Sequence, residues 1–237
     1  INKNITEEDI LTALDKAIDL GWNSVKLYFM IGLPTETDED LMGIADLTQK
    51  ILDLAKEKNG GKKGRFNVSV SISNFVPKPF TPFEWCGQNT EEEFTRKHYF
   101  LKDLFKGIKG AVLHYHGSYQ SRLEGVFARG DRRLCKTLEI ASNLGCSFDA
   151  WTEGFKEDLW REALKQSGID DNYFALTDLN PSDNQPWEII DSGISKEFLL
   201  CEWEKAKAAS VTKDCRYGCN GCGINKHTDC KCGGIYE

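Results

Sequence analysis

Nine cysteines are spread unevenly over this 237-residue chain, and five of them crowd its end. They read Cys215-Arg216-Tyr217-Gly218-Cys219-Asn220-Gly221-Cys222, then Cys230-Lys231-Cys232. Thiolates at such gaps in a glycine-rich turn can converge on one ion. A structural zinc takes four ligands of this kind, and iron–sulfur clusters also favour cysteine. Cys215, Cys219 and Cys222 are therefore expected to hold zinc or an iron–sulfur cluster. Cys230 or Cys232 would complete the set, with His227 an outside candidate. Spacing does not separate the two metals. The competing readings are a reactive thiol-rich end, or disulfides in an oxidising compartment. Cys86, Cys135, Cys146 and Cys201 are scattered and are expected to be small buried hydrophobes.

Two further groups carry chemistry. His114-Tyr115-His116 would put both imidazoles on one side of a strand. Two histidines are an incomplete metal site, so a packed or substrate-facing role is expected. Arg122, Glu124, Arg129, Arg132 and Arg133 lie close in sequence. Arginines grip carboxylates or phosphates in a fork, but pairing with neighbouring elements is the plainer expectation.

The element that positions everything else is the run Lys26 to Thr37. Six of the seven residues from Val25 to Ile31 are apolar or aromatic, and Gly32 and Pro34 end the run. A buried strand, a short turn and an amphipathic helix in succession read as a parallel α/β unit. Ligands in such folds sit outside the carboxyl ends of the strands, so Gly32 to Glu36 belong to the functional rim. Before this strand, Thr6 caps a helix that Gly21 ends. After it, Thr37-Asp38-Glu39-Asp40 opens a second helix that runs out in a loop at Asn59–Gly64. Phe66 to Ile72 is a second strand. Phe66, Val68, Val70 and Ile72 alternate with Asn67, Ser69, Ser71 and Ser73, so one face is apolar and the other small and polar. In a barrel with outer helices the polar face would line the lumen. Pro77, Pro79 and Pro82 make the following loop rigid. Thr90 to Glu93 is a capping box for a third helix reaching about Gly107, and Ala111 to His116 is a third strand.

Beyond this the chain reads mostly helical. Helices are expected from Ser118 or Ser121 to Gly130, from Asp131 to Leu144, from Phe155 to Gln166, and after Ser195. Leu176 to Ser192 reads as loop. The net charge of −7 argues against broad attraction to nucleic acid. No apolar run approaches the roughly 20 residues needed to span a bilayer, and no signal-peptide pattern opens the chain. A cytoplasmic protein with no membrane partner is expected. The chain begins with Ile and runs at once into a helix signal, which reads as a piece of a longer protein.

A strand ending in Gly32-Leu33-Pro34-Thr35-Glu36-Thr37 resembles the fifth strand of the radical S-adenosylmethionine (SAM) barrel. Ile1-Asn2-Lys3, Phe75 to Trp85, Ser121 to Arg133, Gln185-Pro186-Trp187, Gly193 to Leu199 and Cys215 to Gly223 follow the same pattern in order. Together they resemble radical SAM proteins that carry a cobalamin-binding-like domain ahead of the barrel. The resemblance implies an α/β chain in three parts. Residues 1–116 would be the second half of a partial (β/α) radical SAM barrel, 117–210 a mainly helical extension, and 211–237 a Cys-rich metal-binding tail. It implies that SAM lies across the strand tips, beside Met30, Gly32, Pro34 and Glu36 and, from the next strand, Asn74, Phe75 and Val76. A reduced 4Fe–4S cluster would cleave SAM to a 5′-deoxyadenosyl radical, with an electron donor as partner. Cys-x3-Cys-x2-Cys is also the spacing that holds this cluster in the family, but there it follows the first barrel strand. The catalytic ligands are therefore expected in a missing N-terminal half, and this piece alone is expected to be inactive. Use of cobalamin and the identity of the substrate, RNA included, stay open. One alternative is a zinc-binding RNA or protein interaction module without catalysis. Another is an ordinary α/β barrel enzyme using Glu36, His114 or His116 as acid or base.

Overall fold

The computed structural model describes residues 1, 3–58 and 66–228. Asn2, the loop expected at Asn59–Gly64, and Cys230 and Cys232 lie outside the described residues. The chain divides into two compact units. One comprises Lys3–Phe75 and Asn89–Ser118. The other comprises Ile1, Val76–Gln88 and the described residues from Tyr119 on.

The first unit alternates helix and strand: α1 (Glu7–Asp19), β1 (Ser24–Ile31), α2 (Asp38–Lys58), β2 (Asn67–Asn74), α3 (Glu91–Phe105) and β3 (Ala111–Tyr115). The three strands form a parallel sheet in the order β1-β2-β3, with Ser24 opposite Asn67 and Val68 opposite Ala111. Parallel neighbours need long crossovers, and α2 and α3 supply them. Local chemistry sets the ends. Thr6 Oγ1 accepts from Asp9 N at 3.2 Å, and Asp9 Oδ2 accepts from Thr6 N at 2.9 Å, a complete capping box for α1. The box expected at Thr90 is only half formed. Thr90 accepts from Glu93 N, but the Glu93 carboxylate is taken by Arg96.

Period two divides the sheet into two unlike faces. Val68, Val70 and Ile72 are fully buried and pack with Ile31, Leu41, Ile51, Phe94 and Leu101 in the core against the helices. The opposite face carries Lys26, Tyr28, Met30, Ser69, Ser71, Ser73, Val112 and His114. On it Tyr28 is 72% exposed and Val112 54%. The alternation of β2 therefore reads as expected, with its strand bounds at Asn67–Asn74 instead of Phe66–Ile72.

The second unit is helical among its described residues: α4 (Ser118–Arg129, whose first residue belongs to the sheet unit), α5 (Leu134–Leu144), α6 (Glu157–Ser167), α7 (Asp171–Leu176) and α8 (Lys196–Lys207). Its core gathers Leu123, Val126, Leu134, Trp160, Leu164 and Phe174. The helix expected from Asp131 begins at Leu134. Asp131 Oδ1 accepts from Arg133 N and makes a turn of the first three residues. The helix expected from Phe155 begins at Glu157. Gly145 and Gly168 end α5 and α6 in the left-handed conformation. Helix α7 was not expected; at six residues it is too short for a periodic signal, and Asp170 caps it. Ser195 caps α8 by accepting from Phe198 N at 3.2 Å. Among the described residues no helix is long and apolar enough to cross a membrane.

Candidate functional site

At the carboxyl end of β1 the chain turns sharply through Gly32 to Glu36. Gly32 has φ +81°, and a Cβ there would stand 2.4 Å from the Phe94 ring. Only glycine fits both the conformation and the space. Thr35, a β-branched residue, is also held at φ +68°, where such residues are rare. Glu36 organises the turn. Both its oxygens accept from Gly32 N at 2.9 Å, and Oε1 takes a further hydrogen bond from Lys97 Nζ at 2.7 Å. The two side chains are buried, at 6% and 7% exposure. A buried ion pair holds when hydrogen bonds satisfy what water no longer can, and here backbone and ammonium do so together. Glu36 is thus spent on tying the strand tip to α3. Around the turn lies a cavity of about 390 Å³, lined by Met30, Leu33, Pro34, Thr35, Glu36 and Leu41 among others.

The tip of β2 is held in a similar way. Asn74 is buried and faces the helix layer with Val70 and Ile72. Its Oδ1 accepts from His98 Nε2 at 2.9 Å, which assigns the ring proton to that nitrogen. Asn74 Nδ2 reaches His116 O at 3.5 Å. The His98 ring stacks on Tyr115 with centroids 4.5 Å apart. Burial drives the His98 pKa down to about 4, so this imidazole is neutral at ordinary pH. Phe75 is buried and continues the ladder by donating its N–H to Ile31 O at 2.7 Å. Of the residues expected at the ligand, Met30 and Pro34 lie at the β1 tip with exposed or half-buried surface, while Gly32 is buried there and gives its N–H to Glu36. Glu36 and Asn74 lie there too, but their side chains are engaged with α3. Val76 belongs to the other unit.

The other candidates resolve differently. Arg122 donates to Asp171 at 2.8 Å, and Arg129, 2% exposed, donates to the carbonyls of Cys86, Ala175 and Thr177. Glu124 pairs with Lys78, and Arg133 with Asp131. Arg122, Arg129 and Glu124 thus join segments distant in sequence, while the Arg133–Asp131 pair is local to one turn. His114 and His116 are both exposed. Of the four scattered cysteines only Cys86 is buried, and burial pushes its pKa to about 12; Cys135 and Cys201 are exposed, against expectation, because they lie on solvent faces of α5 and α8.

In the tail, Asp214 caps a short turn over Cys215–Tyr217, and Gly221 N donates to Cys219 Sγ at 3.4 Å. Ser195 N donates to Cys222 O at 2.8 Å, which docks the tail on the start of α8. Among the described residues no three His, Cys, Asp or Glu side chains converge on one point. Cys215, Cys219 and Cys222 are therefore not gathered as a ligand set, and Cys230 and Cys232 lie outside the described residues.

Sequence reasoning missed Lys97 and His98. Their signal was present: with Phe94, Leu101 and Phe105 they occupy the buried stripe of α3, where polar residues need buried partners.

No family model matches this chain, and no solved structure does. A protein of Methanocaldococcus jannaschii, described as uncharacterised, is 36% identical over 145 residues. The match covers 60% of this chain and 29% of that protein's length.

Proposed function

We propose that this chain is the C-terminal half of a radical SAM barrel, extended by helices and a Cys-rich tail. One observation carries the reading. The parallel sheet has helices on one face, while its other face bears Tyr28, Met30, three serines and His114, with Tyr28 72% exposed. Parallel sheets are ordinarily covered on both faces, by helices or by closing into a barrel. A polar, uncovered face with ordered strand tips suits one side of a lumen whose other strands come from elsewhere in the polypeptide. That the curated match occupies only part of a longer protein is in keeping with this.

The residues present fit the adenosyl part of SAM. The β1 tip offers a cavity of about 390 Å³ walled by Met30, Leu33 and Pro34, and apolar walls with few polar groups are what such ligands use. When bound beside a reduced 4Fe–4S cluster, SAM supplies a 5′-deoxyadenosyl radical that takes hydrogen from substrate. This chain's own part is to shape and orient. Met30 and Pro34 line the site. Glu36, through Gly32 and Lys97, and Asn74, through His98, keep the two tips in register. The described residues do not fit the cluster itself, so in this reading its ligands and the electron donor's docking face belong to the N-terminal half. A cobalamin would likewise lie outside this chain.

The full-length polypeptide containing this chain, reconstituted anaerobically with iron and sulfide and reduced with dithionite, is expected to release 5′-deoxyadenosine from SAM. Full cluster loading without that product would overturn the proposal.

A second reading draws on the hydrogen bond from Gly221 N to Cys219 Sγ. Backbone donation to sulfur favours the thiolate that a metal takes. In this reading the tail is a zinc-binding RNA or protein contact and the sheet unit a scaffold. Zinc without iron, with RNA binding that needs the tail, would favour it.

A further inference from the structure

We propose that the cavity bounded by Glu84, Trp187 and Lys196 binds an alkylammonium group. It lies within the helical unit, between the proline-rich loop and the segment leading into α8. It is separate from the strand tips and does not rest on the reading given for them.

The cavity measures about 300 Å³, at the small end for organic ligands. Its floor is a buried carboxylate. Glu84 is 3% exposed. Its Oε2 accepts from Phe80 N at 2.6 Å and from Trp187 Nε1 at 3.0 Å. Oε1 has no hydrogen-bond partner among the described residues, and the residue lines the cavity wall. Oε1 is not among the fully buried unpartnered side-chain atoms, so it is open to solvent through the cavity, and a ligand that displaces that solvent must itself supply a donor. The turn that presents it is itself held under strain, with Phe80 at φ +61°.

Charge selects the ligand's sign. Three carboxylates line the cavity (Glu84, Glu188 and Asp191) against one ammonium, Lys196. Lys196 is already paired with Glu188 at 2.5 Å. An anion would meet Glu84, and beside it Asp191, which accepts from Gly193 N at 2.8 Å and has His227 Nε2 at 3.6 Å. A metal ion would lack oxygen ligands, because no three such groups converge among the described residues. An uncharged apolar ligand would leave Oε1 unsatisfied. An ammonium satisfies it, and Trp187, Ile190, Ile194 and Leu199 take up an alkyl stem. Burial holds the Glu84 carboxyl above its ordinary range, with Glu188 adding to the effect and Lys196 opposing it. A bound cation favours the ionised form, so affinity should rise with pH through that range.

The test uses the 237-residue chain labelled with 15N at its six tryptophans. The Trp187 indole N–H, assigned with Trp187→Phe, donates to Glu84 and so reports on the cavity floor. n-Butylammonium should shift this resonance saturably, and n-butanol of nearly the same shape should not. Glu84→Gln keeps an oxygen for Phe80 and Trp187 but removes the charge. It should weaken n-butylammonium by about tenfold or more, with the other five indole signals in place as evidence of folding. Nα-acetyl-lysine-N-methylamide separates the sources. If it binds, the ligand is a lysine side chain of a polypeptide; if only n-butylammonium binds, the ligand is a free amine. Equal shifts from butanol, unchanged affinity in Glu84→Gln, or no saturable shift would each overturn the proposal.

Discussion

The Gly32–Glu36 turn and the Cys215–Cys222 tail are both short and glycine-bearing, but they are ordered by different means. In the turn, the buried carboxylate has been given its partners by the fold. Glu36 receives Gly32 N twice and Lys97 once, all in a buried setting. In the tail, order comes from the Asp214 cap and the bond from Ser195 N to Cys222 O, and Cys215 and Cys219 stay exposed. Buried polar groups must be satisfied by protein when the chain folds, whereas exposed thiols can wait for an ion. The turn is therefore preorganised, whereas the tail thiols are not gathered around one point among the described residues.

That contrast can be broken most sharply at Lys97. Lys97→Met leaves the Glu36 charge buried without its counterion and should cost about 3–5 kcal/mol in urea unfolding. Adding Glu36→Gln should restore more than half of the loss. If the single substitution costs under about 1 kcal/mol, the turn is no better tied than the tail.

A matched pair of glycines sharpens it further. Gly32→Ala meets both a left-handed φ and the Phe94 ring, and should cost about 3 kcal/mol. Gly221→Ala has a φ of +72° but nothing within 4 Å, so only the conformational cost of about 1 kcal/mol is expected. Equal melting shifts would contradict the difference.

His98 gives a pH signature to the sheet unit. Its folded pKa of about 4 lies below its ordinary 6.5, so between these values the unfolded chain binds the extra proton. Its contribution is fully present above about pH 6.5 and is lost as pH falls toward 4, by at most about 3 kcal/mol. His98→Phe should flatten that part of the stability profile relative to the parent chain. An unchanged slope from pH 6.5 to 4 would mean the imidazole is hydrated.

The smallest effect belongs to the tail. Changing Cys215, Cys219 and Cys222 to Ala should alter metal-free stability by less than about 0.5 kcal/mol. Anaerobic iron, sulfide and zinc analysis should find metal in the parent and none in the variant. A large loss of stability without metal would show that the tail thiols pack like a core.

Much of the sheet unit could be read in advance because its signals are periodic. The alternation of Val68, Val70 and Ile72 with Ser69, Ser71 and Ser73 identified both the strand and its two faces. Thr6 and Ser195 marked helix starts because capping is local chemistry. What stayed hidden depends on contacts distant in sequence. Lys97 meets Glu36 across 61 residues, and Trp187 meets Glu84 across 103; no pattern within one helix or loop records such a pair. The resemblance named Glu36 and Asn74 as ligand neighbours, while the structure engages both side chains with α3. Position in a motif locates a residue at a site but does not say which way its side chain is spent.

The account rests on the β1 tip being a place for SAM. The chain has two methionines, Met30 at that tip and Met42 on α2. With 13C-methyl methionine, titration of SAM should move the Met30 signal saturably and leave Met42 still. No shift at millimolar SAM, or equal movement of both signals, would contradict the assignment.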